Sequence, residues 1–201
     1  MKSVQMVNGA NMDRTTKTVI IVSSTLVAGS LLFLYRHRIT GKIKLPIGYR
    51  WTQDKETVQK VQDLHPKFRH KIASFFTKIE RKTGLVPKAT SGYRTFEHQA
   101  RLHAENPSNA KAGYSNHNYG TAVDINLYKD GKQYLKKASS KSNWESSGVV
   151  SIAKKMGIKW GGDFRNYHDP IHFYDNFGLD TARMKAIHDQ GRVDRNGYIK
   201  I

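Results

Sequence analysis

The chain has 201 residues, of which 34 are Lys or Arg and 16 are Asp or Glu, so its formal net charge is +18. That length fits one ordinary domain with extensions, and that charge attracts polyanions such as nucleic acid, anionic lipid or the polymers of a bacterial envelope. The lack of cysteine excludes disulfides, a cysteine nucleophile and thiolate metal sites, so any metal would be held by His, Asp or Glu.

Residues 18–35 form a run without charge that is flanked by basic residues on both sides. The run reaches the lower limit for a membrane-spanning helix, which needs about 20 residues. The alternatives are a cleaved signal peptide and a helix buried against protein. Because the apolar run continues past the small residues at 28–30 as far as Tyr35, cleavage there is disfavoured. We expect an N-terminal segment over 1–17 and a transmembrane or signal-anchor helix over 18–35.

A basic linker is expected over 36–50, ahead of the globular part. Apolar residues at helical spacing then predict two helices, the first ending ahead of Pro66 and the second ending at Gly84. We assign their apolar stripes to the core: Val58, Val61 and Leu64 in the first helix, and Phe68, Ile72, Phe75 and Ile79 in the second.

The rest of the chain alternates helices with short extended stretches. An extended stretch over 85–93 precedes a helix over 95–105, and a further helix is expected over 146–156. A last helix is expected near 180–190. Helices that precede and interrupt a few separated strands are typical of an α+β fold with a small antiparallel sheet flanked by helices.

The domain carrying this sheet is expected over 51–175, followed by a C-terminal helical extension over 176–201. Within it, the stretch over 113–128, GYSNHNYGTAVDINLY, joins a loop to a strand. Apolar residues alternate with Asp124 in the strand, so its carboxylate faces away from the apolar side. His117 lies in the loop seven residues earlier. Taken alone, an Asp on an edge strand and a surface His also explain this pattern.

A second stretch over 168–174, HDPIHFY, places His172 between two apolar residues, so its imidazole also faces away from the apolar side. Pro170 bends the chain and would bring Asp169 round to the same pocket. Two imidazoles and a carboxylate with an open fourth position form a catalytic zinc site, at which the pKa of bound water falls to about 7. A carboxylate beside such a site takes the proton of the water, and Asp169 is the candidate.

A third stretch over 91–103, SGYRTFEHQARLH, opens the predicted helix. Thr95 fits the N-cap position, which puts Arg94 at the junction of loop and helix and Gln99 about one turn inside. A guanidinium fixed there stabilises a developing oxyanion or binds a carboxylate of the substrate. A lone arginine is otherwise most often a solvated surface residue.

The three stretches together resemble a known family. SNHNYGTAVD over 115–124 has the S-x-H-x-x-G-x-A-x-D form of the zinc peptidases that include D-alanyl-D-alanine carboxypeptidases and dipeptidases. GIKWGGDFRNYHDPIHFY over 157–174 is more similar to one branch, the L-alanyl-D-glutamate endopeptidases of phage endolysins and cell-wall hydrolases. The stretch over 91–103 matches the substrate-binding segment of that branch. The resemblance covers about residues 55–175.

This resemblance implies a single zinc site with three protein ligands: His117, Asp124 and His172. It implies Asp169 as the general base and acid, where many relatives carry Glu in the matching D/E-x-x-H element.

The resemblance also implies substrate-side residues. It gives Arg94 the role of a transition-state or substrate ligand, with Gln99 and Ser115 as further substrate-binding residues. The element over 160–163, WGGD, matches the family near the site, and a packing role explains it equally well.

The function implied is a zinc-dependent peptidoglycan endopeptidase that hydrolyses stem peptides, with the L-Ala–D-Glu bond as the first choice and D,D-carboxypeptidase activity as the alternative. The expected partners are stem peptides and, through residues 18–35, the membrane; no specific nucleic acid is expected. The expected location is the bacterial cell envelope with the peptidase facing the wall, or a phage or virion component.

Two rivals come from other classes. A basic nucleic-acid-binding protein or metal nuclease is supported by the charge and by the His and Asn residues at 116–118, but no nucleic-acid motif accompanies them. A non-catalytic relative that binds without cutting is disfavoured because Asp169 and Arg94 accompany the three ligands, and a structural metal site needs neither.

Overall fold

The computed structural model describes residues 43–201, and the predicted helix at 18–35 lies outside this range. Among the described residues, no helix is both long and apolar enough to span a bilayer. The predicted segment 1–17 and the first part of the linker also lie outside the described residues.

Residues 43–201 form six α-helices, three short 3₁₀-helices and five strands. The helices are α1 (Lys55–Gln62), α2 (Pro66–Thr83), α3 (Phe96–Glu105), α4 (Lys141–Ser146), α5 (Val149–Lys155) and α6 (Thr181–Asp189). The strands are β1 (Val86–Ser91), β2 (Ala122–Lys129), β3 (Lys132–Leu135), β4 (Lys159–Trp160) and β5 (His172–Tyr174). The 3₁₀-helices cover Arg50–Gln53, Asn116–Tyr119 and Gly161–Asp163.

The strands form one antiparallel sheet in the order β1-β2-β5-β4, and β3 pairs with β2 as a hairpin. This arrangement confirms the predicted α+β class and its small antiparallel sheet. The hairpin strand β3 was not predicted. Asp130 and Gly131 both have positive φ between β2 and β3, which is the backbone that a tight hairpin turn requires.

Local sequence signals account for most helix boundaries. Pro66 opens α2 at a position where its missing N–H costs nothing, and Gly84 ends that helix in the left-handed conformation. The predicted helix over 146–156 is wrong in its extent, because the chain forms α4 and α5 with a break between them. Gly148 adopts φ 78° there and caps α5, so the two helices cannot be continuous.

The main core lies between α2 and one face of the sheet. Val123, Ile125 and Phe173 are fully buried there, and the Phe75 and Phe173 rings lie 5.3 Å apart between centroids. Side chains alternate along a strand, so Asp124 and the residue paired with it in β5 point to the opposite face of the sheet. The polar side chains of β2 and β5 therefore lie on the face of the sheet opposite the core.

A second, smaller core fixes the C-terminal segment over 176–201. Met184 and Ile187 of α6 are buried together with Ile199 and with Tyr119, which belongs to the 3₁₀-helix Asn116–Tyr119. The predicted C-terminal helix is present, with Asp180 as its N-cap. The extension thus packs directly beneath the loop that carries His117.

Candidate metal centre

Two of the predicted ligands meet across the pairing of β2 with β5. Asp124 and His172 are Cα partners in the antiparallel register, so their side chains leave the sheet side by side. Nδ1 of His172 lies 2.8 Å from Oδ1 of Asp124. The strand register therefore produces this half of the cluster.

The third predicted ligand, His117, comes from the 3₁₀-helix Asn116–Tyr119. The Ser115 hydroxyl caps this short helix by accepting a hydrogen bond from the backbone N–H of His117 at 3.3 Å. Nδ1–H of His117 donates to the carbonyl oxygen of Gly92 at 2.7 Å, which leaves Nε2 as the free ring nitrogen. This Nε2 lies 3.2 Å from Oδ1 of Asp124 and 3.3 Å from Nδ1 of His172.

The three side chains form a set of donor atoms suited to a metal ion. One atom from each of His117, Asp124 and His172 lies within 4.8 Å of the other two, and both imidazoles are buried. Burial by itself would raise the pKa of Asp124, but the two histidines outweigh it and hold that pKa well below its usual range. Two imidazole nitrogens and an ionised carboxylate match the ligands that Zn²⁺ takes in three-ligand catalytic sites, so the residues fit the ion.

Arg94 lies beside this cluster and is held from several sides. Its guanidinium donates to Oγ of Ser91 at 2.8 Å and to Oε1 of Gln99 at 2.9 Å, and its Nη2 lies 3.6 Å from Oδ2 of Asp124. Its backbone N–H donates to the carbonyl oxygen of His117 at 2.9 Å. Burial lowers the pKa of Arg94, and the carboxylates of Asp124 and Asp169 oppose that change. The cation is therefore fixed next to the predicted metal ligands.

Two predicted substrate-binding residues lie behind the cluster. Gln99 is 1% exposed, and both ends of its amide are engaged, by Arg94 and by the carbonyl oxygen of Ala110 at 2.6 Å. Ser115 uses its hydroxyl to cap the helix of His117. Direct contact of either side chain with a substrate stays a prediction, and the contacts present fix Arg94 and His117.

Asp169 reaches the cluster through the loop before β5. Its backbone oxygen accepts from the N–H of His172 at 3.1 Å, and its own N–H donates to Gly161 at 3.3 Å. Its Oδ1 is buried, with no hydrogen-bond partner among the described residues. Burial, together with the negative charge of Asp124, raises the pKa of the Asp169 carboxyl. The Asp169 carboxyl therefore lies next to the predicted metal ligands, and its Oδ1 is available as an acceptor.

The element over 160–163 supports this loop by packing. Nε1–H of Trp160 donates to the carbonyl oxygen of Pro170 at 2.8 Å, and the indole is buried. A Cβ on Gly161 would lie 2.5 Å from the carbonyl oxygen of Asp169 and 2.9 Å from Cβ of His172. Only glycine permits this approach, so the element holds Asp169 and His172 in place.

Three residues of the site were not found from the sequence. Ser91 supports Arg94, Gly92 orients His117 through its carbonyl, and Nδ2 of Asn118 donates to the Arg94 carbonyl oxygen at 2.9 Å. Ser91 and Gly92 lie in the motif that contains Arg94, but their roles depend on backbone geometry that a motif does not encode.

Two imidazoles, a carboxylate, a fixed arginine and a second carboxyl on one face match the groups that metal-dependent hydrolases use. A family model described as D-alanyl-D-alanine carboxypeptidase, of peptidase family M15, matches residues 108–175. The peptidoglycan L-alanyl-D-glutamate endopeptidase CwlK of Bacillus subtilis (strain 168) is 33% identical over 123 residues, covering 55% of this chain and 72% of the relative. The chain therefore belongs to the M15 family of zinc metallopeptidases.

Solved structures to which the chain is similar include the L-Ala D-Glu endopeptidase ChiX of Serratia marcescens. That similarity has a TM-score of 0.47 at 20% identity and covers 61% of this chain and 88% of that chain. A mutant of the D,D-pentapeptidase VanY in complex with Zn(II) gives a TM-score of 0.44 at 19% identity, covering 61% of this chain and 78% of that chain.

The predicted resemblance, the predicted metallopeptidase class and the predicted zinc cofactor are confirmed by the family. The individual roles of the site residues stay predictions.

Proposed function

We propose that the chain is a zinc-dependent peptidoglycan endopeptidase that hydrolyses stem peptides at the L-Ala–D-Glu bond. The observation that carries this proposal is the relative named for that activity, which is 33% identical over 123 residues. The cluster of His117, Asp124 and His172, with Arg94 and Asp169 beside it, supplies the chemistry that such a reaction needs.

The metal would be held by Nε2 of His117, Nδ1 of His172 and the Asp124 carboxylate. Bound Zn²⁺ supplies Lewis-acid chemistry, polarising a carbonyl group and lowering the pKa of water to about 7. The hydrogen bond to the Gly92 carbonyl holds His117 in the tautomer that leaves Nε2 unprotonated. Hydrogen bonds that orient a metal ligand in this way commonly contribute about 10- to 100-fold to metal affinity or activity.

Asp169 would act as the general base and then as the general acid of the reaction. Its carboxylate takes the proton from the attacking water and passes it to the leaving amine nitrogen, so that the peptide bond breaks without a free amide anion. Its raised pKa suits the first of these steps, because a carboxylate with a higher pKa is a stronger base toward the proton of the water. The buried, partnerless Oδ1 supplies the acceptor.

Arg94 would oppose the negative charge that develops on the carbonyl oxygen as the water attacks. A charged group that is already oriented costs no reorganisation during the reaction, which is why such groups act strongly on rates. Ser91 and Gln99 supply that orientation through their hydrogen bonds to the guanidinium.

The alternative within the family is D,D-carboxypeptidase activity, the description carried by the family model that matches residues 108–175. The two activities release different products. An endopeptidase acting at L-Ala–D-Glu creates a new N-terminal glutamate, whereas a D,D-carboxypeptidase releases free D-alanine.

We further place the peptidase domain at 51–175 and its site of action at the cell wall, with 18–35 as its membrane anchor. The substrates named for the relative support a location facing the wall, and the anchor follows from the hydropathy of the sequence.

The test is to incubate the full-length, zinc-loaded chain with purified peptidoglycan and to identify new N-termini and released amino acids. New N-terminal glutamate is expected, and it should disappear with a chelator and in Asp169→Asn. The matched control is Asp130→Asn, which removes an exposed carboxylate in the turn between β2 and β3. Stem peptides that stay intact would exclude the proposal, and cleavage of DNA by the same protein would favour the nuclease alternative.

A further inference from the structure

The outer side of α2 and residues 43–47 together form a groove on the surface of the domain, here called the entry groove. His70, Ser74, Lys78 and Arg81 line it from the helix, at spacings that fall on one helical face. Four large core residues of α2 lie on the opposite face of the same helix: Phe68, Ile72, Phe75 and Ile79. The entry groove is therefore separated from the sheet by the full width of α2.

The charge of the entry groove has one sign. Lys44, Lys78 and Arg81 line it, and no Asp or Glu does. Within residues 43–201, none of these three cations has a salt-bridge partner, whereas Arg50 nearby is paired with Glu80 at 3.0 Å. Cations without counter-ions on one concave face attract an anionic surface.

The entry groove also presents an apolar residue to solvent. Ile47 is 91% exposed, far more than any other large hydrophobic side chain of the described residues. An isoleucine on a basic rim combines the two features by which peripheral segments bind anionic lipid, which are electrostatic attraction and burial of an apolar side chain in the headgroup region.

The chain enters the domain at this face. The backbone N–H and carbonyl of Ile43 form a pair of hydrogen bonds with the Gln62 side chain, at 3.0 and 3.2 Å, which fixes the point of entry. Only residues 36–42 lie between that point and the uncharged run at 18–35. Seven residues reach at most about 25 Å when fully extended, so the two cannot lie far apart.

The metal centre lies on the other side of the molecule. α2 packs against the face of the sheet that carries Phe173, and Asp124 and His172 project from the opposite face. A surface that covers the entry groove would therefore leave the metal centre uncovered and directed away from it.

We infer that the entry groove docks on the anionic phospholipid surface of a membrane, with Lys44, Lys78 and Arg81 on the headgroups and Ile47 inserted between them. The docked domain presents its metal centre away from the lipid. This inference is independent of which bond the protein cuts, and its test uses no measurement of activity.

The absence of cysteine permits a site-specific test with the full-length chain. With the chain reconstituted in equal amounts into both kinds of vesicle, an environment-sensitive dye on Ile47→Cys is expected to shift its emission to the blue on vesicles of phosphatidylglycerol and phosphatidylcholine, and not on phosphatidylcholine alone. The control is the same dye on Tyr134→Cys, a 52% exposed residue that alternates in β3 with buried Leu135 and so lies on the side of the sheet away from α2.

Charge reversal tests the cations directly. The triple variant K44E/K78E/R81E should lower the blue-shifted fraction of the dye at position 47 on the anionic vesicles about tenfold or more, because each cation near such a surface contributes several-fold. The matched control is K129E/K132E/K136E, which changes the net charge equally at exposed lysines in the β2–β3 hairpin and directly after it. Circular dichroism of both variants checks that they fold.

Several results would overturn the inference. Equal shifts at the two dye positions, no shift at position 47, or the same shift on neutral vesicles would each exclude docking of the entry groove on anionic lipid. A blue-shifted dye in the absence of vesicles would show that another part of the chain fills the groove. An equal shift with soluble poly(glycerol phosphate) would assign the groove to an anionic wall polymer instead.

Discussion

Gln99 lies directly behind Arg94 and holds it in place. Its Oε1 accepts a hydrogen bond from Nη1 of Arg94 at 2.9 Å, while its Nε2 donates to the carbonyl oxygen of Ala110 at 2.6 Å. The amide is thus oriented from behind by the loop after α3, and the guanidinium is oriented by the amide. This relationship makes Gln99 a positioning residue for Arg94.

Replacing Gln99→Leu should therefore lower kcat about 10- to 100-fold, since small displacements of an oriented group have effects of this size. The loss should depend on Arg94: in Arg94→Ala the further change Gln99→Leu should have little additional effect on kcat/KM. Gln99→Glu, which keeps the acceptor oxygen, should recover part of the activity. Gln133→Leu in the exposed strand β3 is the control.

Steady-state kinetics on a soluble stem peptide, with the melting temperature of each variant, complete this test. Additive losses in the double variant would mean that Gln99 contacts the substrate itself, as its motif predicts.

Measuring the zinc content of variants should distinguish the predicted metal ligands from the other residues of the site. Asp124→Asn and His172→Gln should each abolish the binding of one zinc ion per chain after dialysis, and with it the rise in Tm that zinc produces in the parent protein. Activity should fall together with metal content. The control Asp130→Asn, at the exposed carboxylate in the turn between β2 and β3, should retain both. Full zinc occupancy in Asp124→Asn would remove this residue from the ligand set.

Replacing Asp169 should lower the rate without lowering the zinc content, unlike replacement of a predicted ligand. Asp169→Asn should lower kcat about 10²- to 10⁴-fold, the usual contribution of a general base, while zinc content stays that of the parent protein. Asp169→Glu should recover part of the rate, because the carboxylate is kept. Product analysis and metal content measured on the same preparations separate the two effects, and a fully active Asp169→Asn protein would contradict the assignment.

The alternation of apolar and polar residues along β2 and β5 correctly predicts that Asp124 and His172 face away from the core, and the structure shows why this pattern was enough for the prediction. Val123 and Phe173 need to reach the core, so Asp124 and His172 must face the other side, whatever the rest of the chain does. Thr95 also fulfils its expected role as N-cap, accepting a hydrogen bond from the N–H of His98 at 3.1 Å. Patterns of this kind depend on local geometry alone.

Features that depend on distant backbone were not predictable. Gln99 lies in the first turns of a helix that is mostly exposed, and its complete burial follows from the approach of the loop at Ala110. The carbonyl of Gly92 orients His117 across 25 positions of sequence. From the sequence, a packing role and a role near the metal site explain Gly161 equally well. The close approach of the Asp169 carbonyl oxygen shows that Gly161 packs against the loop and, by doing so, positions the site.

Gly161→Ala should damage the site through backbone displacement. The added Cβ would lie 2.5 Å from the carbonyl oxygen of Asp169, so the loop before β5 must move. Zinc affinity and kcat should both fall, since His172 and Asp169 shift together. Gly131→Ala is the control: open space surrounds that glycine, and its positive φ costs about 1 kcal/mol without touching the site. Equal zinc affinity in the two variants would show that the loop adapts.

His65 connects three parts of the domain through a single imidazole. Its Nε2–H donates to the carbonyl oxygen of Ile199 at 3.1 Å, and its Nδ1 accepts from the N–H of Lys67 at 3.2 Å, which caps α2. Its backbone N–H donates to Gly120, next to the 3₁₀-helix of His117, at 2.9 Å. Burial lowers the pKa of His65 below its ordinary 6.5. A second proton on the ring would remove the cap.

Stability should therefore fall on acidification. Above the ordinary pKa of 6.5, His65 is neutral in both states and its contribution is fully present. Below pH 6.5, His65 binds a proton in the unfolded chain but stays neutral in the folded chain. The free energy of unfolding therefore decreases as the pH falls, until the pH reaches the lower pKa that His65 has in the folded state. His65→Gln should lose about 1 kcal/mol at neutral pH, the value of one hydrogen bond, and should show a weaker dependence on pH.

Urea unfolding of the metal-free protein from about pH 8 to about pH 5 measures both quantities. Metal-free samples are needed because zinc binding by histidine is itself coupled to protons, and His117 and His172 are predicted ligands. The exposed His70 of the same helix provides the control His70→Gln, which should keep the parent profile. If His65→Gln keeps that profile as well, the acid sensitivity of the fold arises at another group.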